Sequence, residues 1–213
     1  PPVRNWFKDK FPDFTRPQKL AIPAIMDRKH LLLCSPTGSG KTLTAFLTVI
    51  DKLVRMALDG KLKKKVHCVY ISPIKALAND IQRNLIGPLT EISERYLPDR
   101  AQEIKVGLRT GDTPQSERQR MLKHPPHILI TTPESLAIAI TSPKFQPIVS
   151  ELEYMIVDEL HSLVPTKRGV HLGLTLSYLD TLLQTPVQRI GISATMEPLE
   201  KVAEYLVSSD DRE

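Results

Sequence analysis

The order of apolar segments along the chain constrains its fold more than any other feature. Apolar runs typical of buried strands occupy residues 31–34, 67–71, 104–108, 128–131, 154–157 and 189–192. Between them apolar residues recur at helical spacing, as at Leu43, Phe46, Leu47, Ile50 and Val54, and at Leu172, Leu176, Leu179 and Leu183. Apolar strands that alternate with helices are typical of parallel sheets covered on both faces. The sequence therefore predicts a three-layer α/β domain.

The composition is typical of a soluble, intracellular (cytoplasmic) protein. The 213 residues suit one large domain or at most two small ones, and the net charge of +5 favours a polyanionic partner only mildly. Cys34 and Cys68 lie in apolar runs, so we expect buried thiols and no disulfide framework. Neither a membrane-spanning run nor a signal peptide is evident, and both ends look cut from a longer chain.

The segment after the first strand has the composition of a phosphate-binding loop. It consists of Ser35, Pro36, Thr37, Gly38, Ser39, Gly40, Lys41 and Thr42. A strand, a glycine-containing loop and a helix that opens with Lys-Thr direct backbone N–H groups and the positive end of the helix at an anion. Lys41 would reach the β- and γ-phosphates, and the Thr42 hydroxyl would bind Mg²⁺. We predict a nucleoside triphosphate site, with a plain Gly/Ser turn as the alternative; Ser35 replaces the first glycine of the full pattern.

Two adjacent acids follow the strand at 154–157. Asp158 at the end of that strand would lie near the phosphate-binding loop and is suited to hold Mg²⁺. Its neighbour Glu159 could orient and deprotonate a water, which a metal-bound Asp158 cannot do. Alone, the pair could be the start of a solvated loop. Together with the phosphate-binding loop it indicates hydrolysis.

Polar clusters also follow the other strands, at residues 72–77, 131–135 and 193–195. Because ligands of open α/β sheets bind beyond the carboxyl ends of the strands, we expect these clusters to form one site. Upstream, Gln18 lies in a helix that Pro17 is placed to open. Its amide matches the N6/N7 edge of adenine, although alone it could be a surface residue.

This ordered set resembles the superfamily 2 helicases of the DExH type. Gln18, within residues 1–28, resembles their adenine-reading Q motif, and residues 35–42, 72–77, 131–135, 158–161 (DELH) and 193–195 resemble motifs I, Ia, Ib, II and III. The resemblance narrows to the large helicase-related (Lhr) branch at RTGDT (109–113), TTPESL (131–136), KRG (167–169) and QRIGISAT (188–195).

The resemblance implies a RecA-like P-loop NTPase fold over residues 1–213, with ATP and Mg²⁺ as cofactors. It implies that Lys41 binds phosphate, that Thr42 and Asp158 bind Mg²⁺, and that Glu159 is the catalytic base. His161, Ser193 and Thr195 would couple the state of the γ-phosphate to the nucleic acid. Members of the branch translocate 3′ to 5′ on single-stranded DNA and unwind duplexes or RNA–DNA hybrids.

A motor that steps over any sequence needs contacts to the sugar–phosphate backbone only. The candidate nucleic-acid residues are Pro73, Lys75, Arg109, Thr110, Gly111, Thr132, Pro133, Glu134, Lys167, Arg168 and Gly169. Thr132 precedes a predicted helix start, whose free N–H groups suit a phosphate. For each cluster, helix capping or a solvated turn is the alternative. We favour single-stranded DNA as the partner and leave RNA open.

In this superfamily a second RecA-like domain supplies an arginine finger for phosphoryl transfer. After Thr195 the sequence predicts one amphipathic helix at 198–207 and no second sheet. We therefore expect the first motor domain alone, with weak nucleotide binding and very slow hydrolysis in isolation. The alternatives are an RNA or RNA–DNA hybrid helicase, a duplex DNA translocase, and a nucleotide-switched binding module without catalysis.

Overall fold

The computed structural model describes residues 2–36, 38–73, 80–97, 103–195 and 197–207, and within these residues six strands form one parallel sheet. The strands are β1 (Leu31–Cys34), β2 (Cys68–Ile71), β3 (Val106–Arg109), β4 (Ile128–Thr131), β5 (Tyr154–Val157) and β6 (Gln188–Ser193). Their order across the sheet is β1-β6-β5-β2-β4-β3, and every pair is parallel. The six predicted strands are confirmed, with shifts of one or two residues at some ends.

Helices cover both faces of this sheet. They are α1 (Pro2–Lys10), α2 (Arg16–Met26), α3 (Lys41–Leu58), α4 (Gly87–Tyr96), α5 (Gln115–Lys123), α6 (Pro133–Ile140), α7 (Gln146–Val149), α8 (Leu160–Leu163), α9 (Lys167–Leu182) and α10 (Leu199–Leu206). A π-helical turn, Gln82–Ile86, leads into α4. None of the helices in the described part of the chain has the length and apolar character that a membrane span requires.

Two apolar layers confirm the predicted three-layer architecture. One packs α1 to α4 against one face of the sheet and contains all five residues of the predicted stripe on α3. The other packs α6 to α10 against the opposite face and buries Leu172, Leu176 and Leu179. Leu183 lies just beyond the end of α9 and is only partly buried, because the helix stops before the fourth predicted position. Cys68 is buried as expected, whereas Cys34 is only half-buried.

The strand order divides the site edge of the sheet into two halves. The loops after β1, β5 and β6 carry the nucleotide candidates, and those strands are neighbours. The loops after β2, β4 and β3 carry nucleic-acid candidates, and these strands form the other half. The halves meet where β2 pairs with β5, with Ile71 opposite Val157. Chain order alone does not give this division.

A buried histidine at the opposite edge of the sheet makes the stability of the fold depend on pH. His127 is 5% exposed, and its Nδ1 accepts a hydrogen bond from the Lys105 N–H at 2.8 Å. Burial, followed by the charges of His67 and Lys105, lowers the pKa of His127 from 6.5 to about 4. The unfolded chain therefore takes up this proton at a higher pH than the folded chain does.

We expect the free energy of unfolding to fall as the pH drops from about 6.5 to about 4, by at most about 3 kcal/mol from this residue. The contribution is fully present above the unfolded-state pKa and is lost below the folded-state value. Urea unfolding of His127→Asn, whose amide oxygen still accepts from Lys105, should show a shallower loss across this window. His124→Asn, at an exposed histidine, is the matched control. Parallel curves for the wild type and His127→Asn would contradict the expectation.

Candidate nucleotide and nucleic-acid site

The predicted phosphate-binding loop lies between β1 and α3, as its sequence requires. Gly38 and Gly40 have φ of 80° and 82°, a left-handed conformation that glycine adopts without strain. The Ser35 N–H donates to the Ser193 carbonyl at 3.4 Å, and the Ser35 and Ser39 hydroxyls lie 2.6 Å apart. Of the eight loop residues, Thr37 lies outside the described residues. The loop is thus joined to the end of β6 from its first residue.

Lys41 begins α3 and directs its side chain back into the loop. Its ammonium donates to the carbonyl oxygens of Ser35 and Pro36, the latter at 2.8 Å, and the residue is 9% exposed. The two carbonyl oxygens hold the Lys41 ammonium at the mouth of the loop. That placement suits the neutralisation of a phosphate.

Asp158 is the most heavily hydrogen-bonded acid of the site. Its Oδ2 accepts from the Thr42 hydroxyl at 3.2 Å and from the Tyr70 hydroxyl at 2.5 Å, and its Oδ1 accepts from the Glu159 N–H at 2.7 Å. The residue is 5% exposed, and burial raises the pKa of its carboxyl group, against the effect of these hydrogen bonds. The structure therefore brings Thr42 and Asp158 together as predicted.

Tyr70 is a site residue that sequence reasoning missed. It lies in β2, is 1% exposed and packs on Phe46 of α3 with ring centroids 4.9 Å apart. Burial raises the pKa of its hydroxyl, which stays protonated and donates to Asp158. The signal that could have found it was a phenol within an otherwise apolar strand, since a buried tyrosine hydroxyl usually needs a polar partner.

Glu159 has the strained backbone that often marks functional residues. Its φ of 56° is left-handed, an uncommon conformation for a residue with a side chain. Burial, and then the charge of Asp158, raise the pKa of the Glu159 carboxyl group. A carboxylate that binds a proton more readily than usual is better suited to accept one from water.

His161 connects Glu159 to the end of β6. Its Nδ1 accepts from the Ala194 N–H at 3.1 Å and lies 3.5 Å from the Ser193 hydroxyl. Because Nδ1 is an acceptor, the proton of the neutral ring is on Nε2, which lies 3.0 Å from Glu159 Oε2. Thr195 is exposed, two residues beyond β6. Two of the three predicted coupling residues are therefore in contact with each other.

Gln18 is buried beside the phosphate-binding loop. It is 3% exposed, so the alternative of a surface residue is wrong, and its Oε1 accepts from the Thr15 N–H at 2.9 Å. Thr15 in turn donates from its hydroxyl to the Ser39 carbonyl at 3.3 Å. Gln18 shares a cavity of about 670 Å³ with Lys41, Asp158 and Glu159.

An aromatic cluster from the N-terminal segment lines the same cavity. Phe11 is 37% exposed, and Phe7 lies between it and Phe14, with ring centroids 4.8 and 4.1 Å away. Sequence reasoning missed Phe11, although an aromatic residue shortly before Gln18 was visible. One wall of the cavity is therefore aromatic and the other carries the loop and the acids.

The candidates after β3 are engaged within the protein. Arg109 is 8% exposed, with its guanidinium 5.2 Å from the centre of the Phe145 ring. Its carbonyl accepts from the Thr131 hydroxyl at 2.8 Å. The Arg109 side chain therefore packs inside the protein, and its carbonyl oxygen bonds to the neighbouring strand β4.

The loop of Thr110 and Gly111 is held by a residue that sequence reasoning missed. Arg118 on α5 donates to the carbonyl oxygens of Thr110 at 3.3 Å, Gly111 at 2.9 Å and Thr113 at 2.9 Å. A guanidinium can hold several carbonyls because its N–H groups form a rigid fork. The loop is therefore pinned to α5 through its carbonyl oxygens.

Thr132 forms the predicted helix start. Its hydroxyl accepts from the Ser135 N–H at 3.4 Å, and Pro133 is the first residue of α6. Glu134 in the first turn pairs with Arg168, whose guanidinium also donates to the Pro73 carbonyl at 3.1 Å. Lys167 is exposed beside Arg168, and Lys75 lies outside the described residues.

Gly169 is buried and packed against backbone. Its carbonyl accepts from the Tyr205 hydroxyl at 2.6 Å, and its N–H is 3.0 Å from the Thr166 carbonyl. A Cβ atom at this position would lie 2.8 Å from the carbonyl carbon of Leu163. A close approach of α9 to the end of α8 accounts for glycine here.

Comparison with known proteins identifies the family to which the chain belongs. A model of the DEAD/DEAH box helicase family matches residues 15–203, and the chain belongs to that family. It is similar to ATP-dependent helicase Lhr-Core of Methanocaldococcus jannaschii, at 51% identity over 98% of this chain and 25% of that protein. It is also similar to Lhr helicase/uracil glycosylase of Escherichia coli, at 44% identity over 97% of this chain and 14% of that protein.

A solved structure of Mycobacterium smegmatis helicase Lhr bound to ssDNA and AMP-PNP matches with a TM-score of 0.86 and 44% identity. The match covers 98% of this chain and 26% of that chain. The predicted RecA-like helicase fold and the resemblance to the Lhr branch are thereby confirmed. The chain spans about a quarter or less of the length of the curated relatives named here.

Proposed function

We propose that this chain is the first RecA-like motor domain of a longer ATP-dependent DNA helicase or translocase of the Lhr branch. The observation that supports this most directly is the contact path from Thr42 and Asp158 through Glu159 and His161 to Ala194. This path joins the candidate nucleotide site, where Asp158 and Glu159 have different hydrogen-bond partners, to the end of β6. The names of the relatives and the ssDNA complex of the M. smegmatis protein support the same function.

The donor set fits a magnesium ion bound together with a nucleotide. Thr42 Oγ1 and Asp158 Oδ2 are hard oxygen ligands 3.2 Å apart, and Mg²⁺ in nucleotide sites is held by one or two such groups plus phosphate oxygens. When bound, the ion neutralises charge on the phosphate oxygens during transfer. Asp158 and Thr42 would hold the ion, Lys41 would bind phosphate, and the backbone N–H groups of the loop would orient the phosphate chain.

Glu159 is the proposed general base. Its carboxylate orients a water and accepts its proton, and the His161 Nε2–H holds it in place at 3.0 Å. A movement of Glu159 would move His161, which contacts Ser193 and Ala194. We propose that coupling to the nucleic-acid half begins with these contacts and continues through Thr195.

Adenine is proposed to bind between Gln18 and the aromatic wall. The Gln18 amide has two N–H donors for N7 and a second lone pair on Oε1 for the N6 amino group, besides the bond from Thr15. The half-exposed Phe11 ring in the same cavity offers a stacking surface.

Single-stranded nucleic acid is proposed to lie over the loops after β2, β4 and β3, with DNA favoured. Exposed Lys167, the capped start of α6 at Thr132 and Pro133, and the backbone of residues 110–111 supply contacts that do not read base sequence. A second motor domain in the longer protein would supply the arginine finger, so the 213-residue chain alone should bind nucleotide weakly and hydrolyse it very slowly.

The test is the ATPase rate of the longer protein with single-stranded DNA, RNA or no nucleic acid, with unwinding of duplexes that carry a 3′ or a 5′ overhang. We expect stronger stimulation by DNA and unwinding from the 3′ overhang. Stronger stimulation by RNA would favour the RNA helicase alternative, and turnover without strand separation would favour a duplex translocase. Nucleotide binding without hydrolysis would favour the remaining alternative, a nucleotide-switched binding module.

A further inference from the structure

The Arg168 guanidinium joins α9, which follows β5 and α8 in the chain, to two segments of the nucleic-acid half. Arg168 in the first turn of α9 donates from Nε to Glu134 Oε1 at 2.6 Å and from Nη2 to Glu134 Oε2 at 3.2 Å. The same Nη2 donates to the Pro73 carbonyl at 3.1 Å. Pro73 follows β2 and Glu134 lies in α6 after β4, so the hydrogen bonds join segments 34 and 95 residues away in sequence.

The position of Glu134 poses an electrostatic problem that Arg168 solves. A carboxylate on a face that binds a polyanion repels the phosphates, and the Glu134 side chain is 50% exposed. Hydrogen bonding from Arg168 lowers the pKa of the Glu134 carboxyl group, so the acid is ionised at neutral pH. Its charge is therefore matched by the guanidinium on the same face.

The Arg168 guanidinium and the Glu134 carboxylate form a two-point ion pair with a fixed relative orientation. Isolated surface ion pairs contribute little, but a two-point pair between arginine and carboxylate restricts both side chains and fixes their orientation. Here the third bond, to the backbone of Pro73, extends that restriction to a second loop. Lysine could not reproduce it, because an ammonium has no planar fork.

We propose that Arg168 is a positioning residue of the nucleic-acid face. It links the start of α6 to the loop after β2 and neutralises Glu134, and its charge is not used to bind a phosphate. The inference rests on the proposed function, since it takes this face to bind nucleic acid. It changes the role expected for both Arg168 and Glu134 from the sequence, where each was a candidate for binding the nucleic acid directly.

The first test uses the salt dependence of binding by the longer protein to a dT oligonucleotide. Removing one side-chain charge that binds a phosphate should reduce the slope of log K against log salt by about 0.7. Lys167→Gln should reduce the slope by that amount. Arg168→Gln should weaken binding on the order of three- to tenfold with an unchanged slope, and adding Glu134→Gln should recover part of the affinity. A slope for Arg168→Gln that falls as in Lys167→Gln, with no recovery in the double variant, would overturn the inference.

The second test needs no nucleic acid. In the free protein, Arg168→Gln and Arg168→Lys should both speed amide hydrogen exchange at residues 134–136, since neither variant has the planar fork. Arg55→Gln is the matched control, because this exposed arginine pairs with Asp51 on its own helix. Unchanged exchange in both Arg168 variants would overturn the positioning role. If the wild type fails to bind the oligonucleotide while the exchange effect is present, the proposed function fails and the link between the loops stands.

Discussion

Glu159→Gln is expected to reduce the rate of ATP hydrolysis by about 10²- to 10⁴-fold while nucleotide affinity stays within a few-fold of the wild type. The amide cannot accept a proton from water, but it keeps the size of the carboxylate and an oxygen acceptor for the His161 Nε2–H, which lies 3.0 Å from the carboxylate in the wild type. Lys41, Thr42 and Asp158 are unchanged, so the groups proposed to bind phosphate and Mg²⁺ remain. The effect should therefore lie in turnover alone.

The measurement compares kcat of the longer protein at saturating single-stranded DNA with the Kd for a fluorescent ATP analogue. Glu200→Gln is the matched control, since this exposed carboxylate lies on α10. Asp158→Asn provides the contrast: it removes a ligand proposed for Mg²⁺, so magnesium-dependent affinity should fall as well. If Glu159→Gln weakened binding as much as turnover, the assignment of the base would be wrong.

Gly169→Ala is expected to destabilise the chain by about 3 kcal/mol, at the upper end of overpacking effects. The added Cβ would lie 2.8 Å from the Leu163 carbonyl carbon, 3.0 Å from Val164 Cα and closer still to the Leu163 oxygen. These are backbone atoms, so relief requires α9 to move away from α8. The midpoint of thermal unfolding should fall by about 6–12 °C for a chain of this size.

Gly173→Ala on the same helix is the control. A Cβ there would meet the Tyr205 ring at 3.4 Å, an ordinary contact. Since alanine favours a helix over glycine by about 0.5–1 kcal/mol, this variant should be neutral or more stable. Equal unfolding midpoints for the two variants would show that the close approach of α8 and α9 does not determine the choice of glycine. The same movement of α9 should also disturb Arg168, one residue before Gly169.

The nucleotide candidates were predictable because they are local in sequence. Residues 35–42 join a strand to a helix, so the loop, its left-handed glycines and Lys41 follow from neighbouring residues. Asp158 and Glu159 directly follow β5 in the same way. What could not be predicted is how each side chain is held, because the partners are distant in the chain. Tyr70 reaches Asp158 across 88 positions, and this bond depends on β2 lying beside β5.

The nucleic-acid candidates show the limit more clearly. From the sequence alone, Arg109 and Arg168 are candidate nucleic-acid residues, because arginine can contact the sugar–phosphate backbone. In the structure Arg109 is buried over Phe145, and Arg168 pairs with Glu134. Whether a guanidinium faces solvent or a protein acceptor is decided by packing between α6, α7 and α9, which no local pattern encodes.

The sequence by itself determined the parallel α/β class, the positions of the strands and the identity of the phosphate-binding loop. Apolar periodicity and glycine placement act over a few residues, and this is why they can be read along the chain. Only the tertiary structure decided the strand order β1-β6-β5-β2-β4-β3. That order gathers the nucleotide loops on one half of the sheet and the loops with most of the nucleic-acid candidates, those after β2, β4 and β3, on the other. The physical reason is that crossovers place strands beside each other according to how helices pack on the two faces, which depends on the whole chain at once.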